Sequence, residues 1–179
     1  LLSRRGIPIS LAVIYMELAQ QVGLNVRGIS FPGHFLMKLS VKNGDIILDP
    51  FNGASLSREE LEERLEPYFL QPQDSASLPM ASLLDDAQPR VILVRMLRNL
   101  KALYAEQPRW QQFLNVQQRL VVLLPDEISE RRDRGLAFAN LDYPQAALQD
   151  LEAYLVRCPD ASDAELLRDR LSDLRAATR

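Results

Sequence analysis

Leu124-Pro125-Asp126 and Cys158-Pro159-Asp160 stand 34 residues apart, and this spacing constrains the fold of the 179-residue chain more than any other feature. A period of this length is one helix-turn-helix unit, which cannot bury its apolar face alone and must stack on a neighbour. Gly135, Phe138, Ala147, Leu151 and Pro159 fall at intervals that put small residues where two helices approach and apolar residues where they interlock. The preceding stretch, with Tyr104, Phe113, Leu120 and Pro125, repeats the pattern in part. Generic antiparallel helices would satisfy each position singly, but they do not require the common spacing. Helical periodicity runs through Val91 to Glu106, Trp110 to Leu123, Ile128 to Asn140, Pro144 to Arg157 and Ala161 to Ala176. Five helices with short joints predict hairpins packed side by side.

The first half reads differently. Pro8 suits a first helical turn and Gly23 a helix stop, and the residues between them are apolar nearly all round. Such a helix is expected at the centre of a core, packed on more than one side. Val26 to Phe31 and Phe35 to Val41 alternate as strands, Asn43-Gly44 signals a hairpin, and a further strand runs through Ile46 to Leu48. Ser57-Arg58-Glu59-Glu60 is a capping box opening a helix to about Phe69. Between Gln71 and Pro89 the composition shifts to Pro, Ser, Gln and Asp, the mark of a junction. The reading is therefore an α+β domain over 1–70, a linker over 71–89 and a helical region over 90–179, whose period is that of tetratricopeptide repeats.

Composition narrows the class. A formal charge of -3 weighs against a dedicated nucleic-acid binder. The basic run Arg90, Arg95, Arg98, Lys101 and Arg109 reads as the solvated face of an amphipathic helix. Charges interrupt every apolar run before the ~20 residues needed to span a bilayer, so no membrane association is expected. One cysteine, Cys158, excludes an intrachain disulfide and fits a reducing, cytoplasmic setting. The chain opens at Leu1-Leu2-Ser3 with no initiator methionine, which leaves room for residues upstream. Nothing in the sequence sets an oligomeric state.

The one histidine, His34, lies in Phe31-Pro32-Gly33-His34-Phe35, and Asp49 follows in Ile46-Ile47-Leu48-Asp49-Pro50. An imidazole and a later carboxylate on apolar runs are the two back members of a Cys-His-Asp type triad. Each residue also has a plain reading: a histidine fixed by a structural hydrogen bond, and an Asp-Pro turn whose carboxylate satisfies amides of Phe51 to Gly53. A single histidine with scattered carboxylates forms no metal-ligand set, and seven singly placed glycines form no phosphate loop. No metal or other cofactor is expected.

Taken in order, Arg5-Gly6-Ile7-Pro8-Ile9-Ser10-Leu11-Ala12, Phe31-Pro32-Gly33-His34-Phe35, Leu48-Asp49-Pro50-Phe51 and Arg98-Asn99-Leu100-Lys101 resemble the bacterial SirB family. Its members join a transglutaminase-like domain, related to papain-type cysteine proteases, to tetratricopeptide-type helices. The resemblance covers essentially the whole chain. It implies that the nucleophile's frame, Gly-x-Cys-x-x-x-Ala, falls on Gly6 to Ala12 with Pro8 in the cysteine's place, and that His34 and Asp49 match the family histidine and aspartate. Proline has no thiol to ionise, so no thioester forms there. Ser10 is rotated roughly 200° from Pro8 on a helix of 3.6 residues per turn and is expected to use its hydroxyl locally. Ser3 lies ahead of the helix, and Cys158 reads as a small buried residue of the repeats.

A two-residue Asn43-Gly44 turn would pair Lys42 with Asp45 and set Asp49 opposite Lys38, leaving His34 on the same face but roughly 13 Å away. The resemblance implies a bulge, a bend at Gly33 or a longer turn that brings them together. The leading expectation is a non-catalytic scaffold with a degenerate site, which binds a protein or peptide through its helical surface. The alternative is a hydrolase or acyl-transfer enzyme using His34 as base, Asp49 to orient it, and a hydroxyl or water as attacking group.

Overall fold

A computed structural model of the chain describes residues 6–68, 79–107 and 109–177. Ser3 of the sequence reading lies outside the described residues, as does the 71–78 part of the expected linker. The chain forms two compact units, residues 1–93 and 94–179.

The first unit opens with α1 (Pro8–Gln21), followed by β1 (Val26–Ile29), β2 (Leu36–Val41) and β3 (Gly44–Leu48), then α2 (Arg58–Leu65), a 3₁₀ turn (Glu66–Tyr68) and α3 (Met80–Leu83). Pro8 takes the first helical position. The Ser10 hydroxyl accepts the Ile7 N–H at 3.0 Å and donates to the Ile7 carbonyl at 2.8 Å, so it closes the helix start locally, as expected. At the other end the Leu24 N–H reaches the Ala19 carbonyl and the Gly23 N–H the Gln20 carbonyl, the paired bonds of a Schellman stop.

The strands form an antiparallel sheet in the order β1-β2-β3. Its two faces are distinct. Ile29, Leu36 and Ile47 pack with Leu61 and Leu65 of α2 and with Met80 and Leu83 of α3, while α1 lies against β1 and β2 from the other side. The sheet, and not α1, is therefore the middle layer. This corrects the expected central buried helix: among the described residues α1 buries Ile9, Ala12 and Ala19, whereas Ile14, Tyr15, Leu18 and Val22 are exposed. Uniform apolarity marks two faces that tend to be covered, and only one is covered here.

The hairpin register also differs from expectation. Val41 pairs with Gly44 and Ser40 with Asp45, so Lys42 and Asn43 are the central turn residues and Gly44 begins the strand at φ 139°. Both edges of the sheet are engaged. On β1 an isolated bridge joins Ile29 to Asp86 and the Ala87 N–H donates to the Gly28 carbonyl; on β3 the Leu56 N–H donates to the Ile47 carbonyl. Lys38 secures the first of these, with its ammonium 2.5 Å from the Asp86 carboxylate and 3.1 Å from the Leu84 carbonyl. Residues 79–87 thus pack on the sheet.

The capping box at Ser57 is complete: its hydroxyl accepts the Glu60 N–H, and the Glu60 carboxylate accepts the Ser57 N–H at 2.7 Å. Ser57→Ala is expected to cost about 1 kcal/mol, read as a lower urea midpoint with an unchanged slope.

The second unit holds most of α4 (Pro89–Glu106), then α5 (Trp110–Leu123), α6 (Ile128–Asn140), α7 (Pro144–Arg157) and α8 (Ala164–Ala177). The 34-residue relation is visible in packing. Gly135 of α6 lies so close to α7 that a Cβ there would meet Leu151 Cγ at 2.8 Å. One period earlier, the Gly135 and Leu151 positions are taken by Lys101 and Gln117. Both bond to the buried Glu130, Lys101 at 2.6 Å and Gln117 at 3.1 Å. At this one position the earlier unit is polar and the later one apolar, although Val94 and Leu97 of α4 still pack on Val116 and Leu120 of α5, so the earlier repeat matches in part. Arg98 and Lys101 of the basic run are not simply solvated, since both reach Glu130 and Lys101 also reaches Asp133.

Candidate functional site

The loop between β1 and β2 carries His34. Phe31 and Phe35 on either side are buried, the His34 N–H donates to the Phe31 carbonyl at 3.1 Å, and the histidine itself is half-buried. Gly33 has φ 66°, and a Cβ there would coincide with the Tyr68 phenol, so only glycine allows this ring to lie against the loop. Tyr68 thus belongs to the surroundings of the histidine loop although no sequence motif pointed to it.

Asp49 follows β3 and is held by several bonds. One carboxylate oxygen accepts the Phe51 N–H at 2.8 Å, and the other accepts Arg64 Nη2 at 2.8 Å. Its backbone closes the turn, with the N–H to the Ala54 carbonyl and the carbonyl from the Gly53 N–H. The Phe51 bond is the Asp-Pro turn reading made concrete. Arg64 was not singled out in the sequence. The available signal was its place between Leu61 and Leu65, the two buried leucines of α2, which turns position 64 toward the edge of the packed face.

Continuing the observed ladder by one residue sets Asp49 opposite Leu36 instead of Lys38. In sequence the offset to His34, which lies just before β2, then falls from four residues to two. The turn has moved by one residue, and the Asp49 carboxylate is bonded to Phe51 and Arg64.

Pro8, at the start of α1, offers no side-chain donor or acceptor, and the Ser10 hydroxyl is engaged with Ile7. Cys158 caps α7 and is partly buried against the Leu151 and Tyr154 cluster. Within the first unit an open groove of about 460 Å³ is lined by Ile46, Ile47, Leu56, Leu61 and Met80; neither His34 nor Asp49 lines it. Among the described residues no three His, Cys, Asp or Glu side chains are grouped to hold a metal ion. Among the same residues no helix is long and apolar enough to cross a membrane.

The geometry defines a class: a sheet layered between helices that presents a histidine loop and an anchored aspartate, joined to a stack of 34-residue helical hairpins. The family model described as transglutaminase-like superfamily matches residues 1–98, and that for the tetratricopeptide repeat matches residues 100–172. The chain belongs to the transglutaminase-like superfamily. It is 43% identical over 174 residues to a UPF0162 protein of Xylella fastidiosa, covering 96% of this chain and 61% of the relative. A UPF0162 protein of Pseudomonas aeruginosa is 34% identical, with 98% and 63% covered, and Protein SirB1 of Salmonella typhimurium is 27% identical, with 96% and 62% covered. The resemblance read from the sequence is thereby borne out. The chain spans about three fifths of the length of these curated relatives. No solved structure matches.

Proposed function

We propose that this chain serves as a non-catalytic scaffold whose transglutaminase-like site lacks its nucleophile and whose helical repeats hold a protein partner. The observation that carries the reading is Pro8 as the first helical residue of α1, in the frame where the family cysteine is expected. Without a thiol at that place His34 has no acid to deprotonate there. The commitment of both Asp49 oxygens to the Phe51 amide and Arg64 also supports a structural role for that residue.

Recognition falls to the repeats. Arg98, Arg132 and Leu166 are spaced by the 34-residue period on α4, α6 and α8. Arg98 reaches Glu130 of α6 and Arg132 reaches Asp163 beside the start of α8, and the period sets Leu166 at the equivalent place on α8. Such surfaces hold peptides through side chains of successive first helices.

A photocrosslinking residue at position 166, which is 72% exposed, is expected to capture one discrete polypeptide in cells. The same probe at Val156, 82% exposed near the end of a second helix, is expected to capture none. Equal capture at both positions, or at neither, removes the helical surface from the reading. Acyl hydrolysis by the purified chain that disappears in His34→Ala would instead establish the catalytic alternative.

A further inference from the structure

α1 has a second apolar face that nothing among the described residues covers. Ile14 and Leu18 of the helix, with Ile7 at its N-cap and Val22 at its C-cap, follow one another at steps of seven, four and four along one stripe, with Tyr15 beside it. Their exposures are 49%, 40%, 54%, 71% and 47%. The only charged residue in the helix is Glu17. A contiguous apolar strip of this kind marks a contact surface, unlike apolar residues exposed singly.

The occupant follows from size and from the relatives. A fourteen-residue helix is about 21 Å long and about 10 Å wide. That is far less than the roughly 800 Å² per partner that stable association of free molecules buries. A tethered segment does not need so large a face, because a short linker supplies an effective concentration in the millimolar range. The curated relatives extend well beyond the matched region, which covers 61–63% of their length. A stripe one helix wide, uncharged and at helical spacing, is the complement of another amphipathic helix.

We infer that the outer stripe of α1 is the docking seat of an amphipathic helix supplied by the part of the family chain that lies outside these 179 residues. The sheet of the first unit then has α1 as an inner layer, with a further helical layer beyond it.

The test places a thiol on the stripe. Leu18→Cys, in a Cys158→Ser background, is reacted with a maleimide in the 179-residue chain and in the product of the full open reading frame. Val22→Cys, at the most exposed position, serves as a second probe should the first variant fold poorly. The expected result is reaction at the rate of an open cysteine in the 179-residue chain at every protein concentration, and at least tenfold slower reaction in the longer product. Equal rates in both overturn the inference. Protection that grows with the concentration of the 179-residue chain assigns the stripe to a second copy and also overturns it. Protection independent of concentration in that chain shows the face to be covered from within and likewise overturns it. A reading frame that adds nothing to these residues leaves the stripe without the inferred occupant, and so rejects it.

Discussion

Glu130→Ala is expected to lower the stability of the helical unit by about 3 kcal/mol. Glu130 is 3% exposed and accepts from Lys101 at 2.6 Å and from Gln117 at 3.1 Å, with Arg98 at 3.7 Å. Removing one partner of a buried ion pair costs about 3–5 kcal/mol, because the remaining charge has lost its compensation. Lys101 keeps Asp133 at 2.5 Å, which holds the effect at the lower end. Gln117 keeps its bond to the Glu130 carbonyl at 3.1 Å but loses the one to the carboxylate, and it is fully buried with its Oε1 already lacking a hydrogen-bond partner among the described residues. At about 4–8 °C per kcal/mol for a unit of this size, the calorimetric midpoint falls by more than ~12 °C. Glu165→Ala, at an exposed position of α8, should stay within ~0.5 kcal/mol of the parent. A Glu130→Ala midpoint within a few degrees of the parent would show that the polar cluster around Glu130 contributes nothing net.

Leu151→Ala should cost about 4 kcal/mol, the upper part of the range for a buried leucine. Leu151 is fully buried, with Ala147, Tyr154, Leu167 and Leu171 around it and Gly135 across the helix contact. The void cannot close readily, because the two backbones already approach as near as a glycine permits. The same geometry predicts a strong coupling between the two positions. Gly135→Ala in the parent forces a methyl within 2.8 Å of Leu151 Cγ, and this overpacking outweighs the ~1 kcal/mol that alanine gains over glycine inside a helix. In the Leu151→Ala background both contacts under 3.0 Å vanish and only Asp150 Cβ, at 3.2 Å, stays tight, so Gly135→Ala costs much less than in the parent. A double-mutant cycle measures the coupling directly. Additive effects would mean that the contact between α6 and α7 relaxes freely, contrary to a packed repeat joint.

Local signals carried much of the architecture. Pro8, the Ser57 capping box and the period between Pro125 and Pro159 depend on neighbours in sequence, and the corresponding helices begin where these residues place them. α4 starts at Pro89, two residues before its apolar period, because proline fits the first turn. α8 starts at Ala164, three residues later than its pattern. Asp163 is held ahead of it by the Tyr154 hydroxyl and Arg132 and presents its carbonyl to the Leu167 N–H.

What could not be read was long-range. The identity of Arg64 as the partner of Asp49 depends on how α2 lies against the sheet, which spacing alone does not give. The turn slipped by one residue because Asn43-Gly44 has the composition of a two-residue turn, whereas here glycine opens the strand. Lys101 and Gln117 depart from the later unit's Gly135 and Leu151, and their role depends on Glu130, which belongs to the next helix. The neighbourhood of His34 was legible as a loop between strands, but the packing of Tyr68 on Gly33 was not.

The borders of the sheet limit how the first unit meets other chains. An extended polypeptide joins a sheet by finding a row of unpaired amides and carbonyls along an outer strand. Asp86 and Ala87 take positions on one border, and Ser55 and Leu56 on the other. An arriving strand would first have to displace a segment of the protein itself, and Lys38 holds one of those segments in place. Heating or substitution that frees Asp86 would therefore expose a sticky border before the core melts, and polymerisation through that border would be the first failure of an otherwise folded molecule.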